Sequence, residues 1–171
     1  MSRMMIMAAA IAAAIPLSPS GAAADEAGFL QRFDADWAGS GNVVRDADKE
    51  PKPVKVECNM TGNGASNALS VGGTCRAYLL FSREFGAKIA FDPSTGLYSG
   101  TYNGAKSGPA TLAGRRRGDT VDLTVTWAKP VNGDRKARLS IRNDGRTLAI
   151  RMTDQAQGRE VTTTDLVFAQ K

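Results

Sequence analysis

The chain contains no histidine and only two cysteines, Cys58 and Cys75, among its 171 residues. The missing histidine removes the commonest general base, the commonest zinc ligand and the usual axial haem ligand. It also makes a His-based serine triad impossible, and no G-x-S-x-G elbow is present. Carboxylates are scattered over predicted turns and outer strand faces (Asp92, Asp119, Asp122, Asp134, Asp144 and Asp154). Nothing local marks two of them as a glycosidase pair. Glycine-rich stretches such as Thr61-Gly62-Asn63-Gly64 lack the strand–turn–helix setting of a phosphate loop. The expectation is a protein that is not an enzyme, with no cofactor and no metal.

The N-terminus is more informative. Arg3 is the only charge before Asp25, and an Ala-, Met- and Ile-rich apolar run over 4–17 is broken by Pro16 and Pro19. Ala22-Ala23-Ala24 then supplies small residues at the −3 and −1 positions of a cleavage site. A basic start, a short apolar stretch and an A-x-A exit make up a secretory signal, and the run is shorter than the ~20 residues a spanning helix needs. Residues 1–24 read as a signal peptide and 25–171 as one mature domain. That places the protein in the periplasm or, alternatively, outside the cell, with no integral membrane segment after cleavage. Loss of the leader leaves 21 basic against 17 acidic residues, a net charge of +4. So mild an excess tolerates an anionic partner, and export argues against nucleic acid.

In an oxidising compartment an isolated cysteine pair reads as a disulfide, and closing so short a loop stabilises a fold by about 3 kcal/mol. Residues 25–36 form the single helical candidate, because Phe29, Phe33 and Trp37 share one stripe. Beyond Gly39 the period is two. Strands are expected near 37–45, 53–61, 74–82, 87–92, 97–102, 110–116, 120–127, 135–142, 147–153 and 160–169, with turn signals between most of them. The segment 62–73 reads as a long, mobile, polar loop. Ten even strands with no intervening helix predict an all-β antiparallel meander closed into a barrel of about 8–10 strands, which removes exposed edges.

Val121, Leu123, Val125 and Trp127 alternate with Asp122, Thr124 and Thr126. Val54, Val56, Cys58 and Met60 form a second apolar set, and Cys75, Ala77, Leu79 and Phe81 a third. Both cysteines therefore fall on inner faces. A two-residue turn at Asp144-Gly145 would set Ile141 opposite Leu148, Leu139 opposite Ile150 and Arg138 opposite Arg151, a like-charge pair relieved either by neighbouring acids or by something anionic. In the last strand the parity changes between Val161 and Leu166, so a bulge near Thr164 or Asp165 is expected. The orientation of Asp165 stays open.

Two surfaces are candidates for ligands. One is aromatic: Trp37, Tyr98, Tyr102 and Trp127, with Tyr98 and Tyr102 flanking Gly100. The other is basic: Arg115-Arg116-Arg117 on one hairpin and Arg138 with Arg151 on the next.

Trp37-Ala38-Gly39-Ser40-Gly41 reads W-x-G-x-G after a short helix and at the head of about ten strands. This resembles the opening of calycin-type barrels, the lipocalin, fatty-acid-binding and nitrobindin-like proteins. The resemblance implies a Trp37 packed across the barrel floor, Gly39 and Gly41 where the first strand bends, and an interior that holds a small apolar ligand or is filled by side chains. The nitrobindin-like members hold haem through a C-terminal histidine that this chain lacks. Bacterial inhibitors of secreted metalloproteases are also similar in size, single disulfide and barrel topology; that likeness implies inhibition by an N-terminal segment, here residues 25–28. The expectation is an exported accessory protein of the bacterial envelope, binding a small apolar ligand or an anionic envelope component, with protease inhibition as the alternative.

Overall fold

The computed structural model describes residues 20–45, 47, 49, 51–78 and 81–171; residues 1–19 of the expected leader fall outside them. One helix, α1 (Ser20–Gln31), precedes ten strands. They are β1 (Ala35–Arg45), β2 (Lys52–Gly64), β3 (Ala68–Ala77), β4 (Phe81–Asp92), β5 (Leu97–Asn103), β6 (Ala110–Arg117), β7 (Thr120–Val131), β8 (Asp134–Asn143), β9 (Thr147–Ala156) and β10 (Arg159–Gln170). Each strand pairs antiparallel with the next, and β1 pairs with β10, so the meander closes into a barrel with no free edge. Alternation decides which side chains go inside. On β7, Val121, Leu123, Val125 and Trp127 are buried while Asp122, Thr124 and Thr126 are exposed. Cys58 and Cys75 stand directly opposite each other on β2 and β3 and are disulfide-bonded.

The helix starts and ends earlier than its apolar stripe suggests. Successive tight-turn bonds from Arg32 N to Phe29 O, Phe33 N to Leu30 O and Asp34 N to Gln31 O end it, and the chain swings into β1. Phe29, Phe33 and Trp37 are all buried, but only Phe29 is helical. Trp37 lies on β1 and its indole Nε1 donates to Phe33 O at 3.3 Å. The expected cleavage point after Ala24 lies within α1.

The expected loop at 62–73 is instead strand. β2 continues to Gly64 and β3 begins at Ala68, leaving a three-residue turn closed by Ala65 N donating to Ala68 O at 2.8 Å. Its glycines serve close packing. A β-carbon on Gly62 would run into Phe33 O, and one on Gly64 into Leu30 O, where the end of α1 rests on β2. The expected strand over 74–82 breaks at Tyr78, which takes a left-handed φ of 57°. Phe81 is 64% exposed and does not share an inner face with Cys75; Leu79 lies outside the described residues.

The β8–β9 hairpin turns one residue later than expected. Asp144 N donates to Thr147 O at 3.2 Å, which puts Gly145, at φ +90°, first in the two-residue turn. The Asp144 carboxylate accepts from Arg146 N and Thr147 N, and the Asn143 side chain accepts from Gly145 N. Leu139 therefore faces Met152 and Ile141 faces Ile150, while Arg138 faces Thr153 and Arg151 faces Ser140. No like-charge pair arises. The bulge in β10 falls at Thr163, between the Thr162 and Thr164 pairings, one residue before the expected place.

Candidate functional site

The barrel has two unlike ends. At the end where β1 begins, α1 and the turn after it form a floor. Phe29, Leu30, Phe33, Trp37, Tyr98, Leu148 and Phe168 are almost wholly buried there, and Phe29 meets Phe33 edge-on at 5.5 Å. A buried carboxylate, Glu26, is held within this floor. It accepts the Tyr98 hydroxyl and two bonds from Arg116 Nε, at 2.9 and 3.0 Å. Arg116 also donates to Asp25 and to Gly118 O, and its guanidinium stacks 4.8 Å from the Phe29 ring centroid. At the same β6–β7 turn Arg32 Nη1 donates to Asp119 at 2.6 Å and to Asn143 O at 3.2 Å. Charge-assisted bonds from these two arginines tie α1 and the turn after it to the β6–β7 end of the barrel.

The other end is the mouth, where β7 and β9 end and β4 begins. Val43 and Tyr102 are only half-buried on the inner wall there. The Tyr102 and Trp127 rings meet edge-on with centroids 6.2 Å apart. Trp127 is 4% exposed, and its Nε1, like the Ser107 hydroxyl, has no hydrogen-bond partner among the described residues. The loop 104–109, which carries Ser107, is tied over this end by Arg83 Nε donating to Gly104 O at 2.6 Å. Gly104 packs against the Tyr102 hydroxyl and Phe85. Burial raises the Tyr102 phenol above its ordinary range, with Arg83 pulling the other way; the hydroxyl therefore stays a neutral donor at physiological pH.

On the mouth rim Asp154 is also buried. Asn132 Nδ2 donates to one of its oxygens and Gln155 N to the other, both at 2.9 Å. Burial, helped by Asp134, raises its pKa above the usual carboxylate value against these two bonds. Beside it an open polar groove of about 500 Å³ runs between the β7–β8 and β9–β10 turns. A second open groove, of about 630 Å³, crosses β3, β4 and β5 near the β2–β3 turn.

The candidate aromatic and basic residues thus separate into three places. Trp37 and Tyr98 belong to the floor, with their polar atoms satisfied there. Tyr102 and Trp127 meet at the mouth. Arg138 and Arg151 lie outside, each exposed and ion-paired, Arg138 with Glu160 and Arg151 with Asp165 at 3.0 Å. Asp165 is therefore an outward residue. The Arg115-Arg116-Arg117 run divides by parity: Arg115 and Arg117 are exposed and Arg116 turns into the floor. Ser107 was not named from the sequence, and Glu26, Arg116 and Asp154 were named there only within a candidate inhibitory segment, a basic run and a set of scattered carboxylates, not in the buried roles they take. Arg116 shares the parity of Leu112 and Gly114, which was a usable signal. Glu26 and Ser107 carry no local signal, because their surroundings come from distant strands.

The architecture is a closed antiparallel ten-strand β-barrel with one disulfide. No protein-family model and no curated protein matches the sequence. Among solved structures it is similar to Rv2717c from M. tuberculosis, at a TM-score of 0.64 and 16% identity, over 83% of this chain and 94% of that one. At that identity the likeness is one of fold.

Proposed function

We propose that the protein is an exported, non-catalytic binding accessory of the cell envelope whose mouth holds a small, mostly apolar ligand carrying one hydrogen-bond acceptor. The observation that carries this reading is the unpartnered Trp127 Nε1 beside the half-exposed inner wall at Tyr102. A buried donor without a partner costs about 1–3 kcal/mol, a cost that an acceptor on a ligand recovers. The calycin-type order of helix, W-x-G-x-G and meander supports the same reading. With no histidine and both cysteines bonded, imidazole general bases and thiol nucleophiles are missing. The inhibitor alternative is less well supported, since residues 25–28 lie within α1 and Glu26 is locked by Tyr98 and Arg116. Native mass spectrometry of the protein isolated from its own host tests the reading. A small organic adduct that is lost in Trp127→Phe supports it, and an adduct-free spectrum at every gentle ionisation setting contradicts it.

A further inference from the structure

Tyr78 and Phe81, on either side of the connection between β3 and β4, are directed outward at the mouth end. Tyr78 is 80% exposed and Phe81 64%, with Leu79-Leu80 between them in sequence. Two exposed aromatic side chains bracketing a strand-to-strand connection contradict the polar chemistry expected there. Exposed aromatics that neither pack nor pair mark a surface meant for contact. The surrounding charge indicates what that contact is. Arg76 precedes the tip on β3 and Arg83 follows it on β4, both exposed. Lys55 lies on the adjoining β2, and Lys106 projects from the loop that Arg83 ties down. Among the described residues the acids nearby are Glu57, across from Arg76, and Glu84, across from Thr74, so the described cations outnumber them around the tip.

We infer that this tip docks the barrel, mouth first, onto an anionic phospholipid surface, with Tyr78 and Phe81 entering the interface and the flanking cations resting on headgroup phosphates. Tyrosine suits that depth, one end wet and the other apolar, and phenylalanine adds a wholly apolar ring. A basic ring around an apolar plug matches an anionic leaflet, where each cation strengthens binding roughly fivefold. Docked this way, the mouth opens toward the lipid, the natural source of an apolar ligand. Docking itself does not require a ligand, so it stands or falls separately from the reading above.

The test uses the exported, processed protein and sedimentation with unilamellar vesicles. Binding is expected to phosphatidylglycerol-containing vesicles, and not to phosphatidylcholine alone. The double variant Tyr78→Ser with Phe81→Ser should bind at least tenfold more weakly at unchanged Tm, since neither side chain is packed. Lys55→Ser with Arg76→Ser should weaken binding by an order of magnitude and flatten its salt dependence. A Tyr78→Trp variant should show blue-shifted emission only with anionic vesicles. Absence of vesicle binding, or binding that the tip variants leave unchanged, overturns the inference. So does a concentration-dependent dimer that the tip variants abolish, because a second copy would then be the occupant.

Discussion

Replacing Glu26 with alanine asks how firmly the helix is fixed in the barrel floor. The carboxylate is 9% exposed and its Arg116 partner 14%, so neither charge is well solvated. Removing one member of a buried ion pair costs about 3–5 kcal/mol, mostly from the charge left behind. Here Arg116 keeps Asp25 and Gly118 O, which points to the low end, near 3. The Tyr98 hydroxyl, now without its acceptor in a buried site, adds about 1 kcal/mol or more. A domain of this size loses roughly 2–4 °C per kcal/mol, so Glu26→Ala should lower Tm by roughly 8–16 °C. Tyr98→Phe, which removes only a bond to a charged group, should cost about 1.5–3 kcal/mol. The two losses should be less than additive in the double variant, because they share one carboxylate. Thermal and urea unfolding by circular dichroism measure all three. A Glu26→Ala variant within about 2 °C of wild type would show that α1 is not docked as described, and would reopen the free N-terminal segment that inhibition requires.

Loss of the disulfide in Cys58→Ala with Cys75→Ala should cost about 3 kcal/mol, the loop-closure value for a separation of 17 residues; a chemical denaturation curve coincident with wild type would contradict it. Asp154 has a native pKa raised by burial, so its stabilising contribution is complete below its ordinary value of 3.8 and is lost as pH rises through the raised value. Asp154→Asn should therefore gain on wild type as pH increases, and parallel Tm–pH curves would refute this. Arg138→Ser with Arg151→Ser removes two exposed ion pairs worth about 0–1 kcal/mol each. Since Glu160 and Asp165 already neutralise these arginines, retention on anionic vesicles should not change either; a large loss would restore the basic-patch reading.

The barrel was legible because alternation and turn chemistry are local. Val121 to Trp127 announce an inner face by themselves, and the cysteine positions followed from the same period of two. Errors arose where glycine has two meanings. Gly62, Gly64 and Gly73 look like loop residues in sequence, yet they sit in strands where another backbone comes too close for a β-carbon. The β8–β9 register failed for a related reason: the choice between Asp144-Gly145 and Gly145-Arg146 as the turn was made by side-chain bonds from Asn143 and Asp144, worth little individually. The floor network was out of reach. Glu26, Tyr98 and Arg116 are 72 and 90 residues apart, and only the closed barrel brings them together. At the mouth the aromatic pair was visible as residue types, but not the unsatisfied indole that gives the place its chemical character.

The claim that the mouth is a binding site reduces to one atom, the indole Nε1 of Trp127. The chain has two tryptophans, and Trp37, bonded to Phe33 O in the floor, is an internal reference. A ¹H–¹⁵N spectrum of the purified protein, titrated with a panel of small apolar ketones and amides, should move the Trp127 indole resonance downfield and saturably while that of Trp37 stays still. If neither resonance moves with any compound, or both shift together, the mouth is not the site and the binding account is wrong.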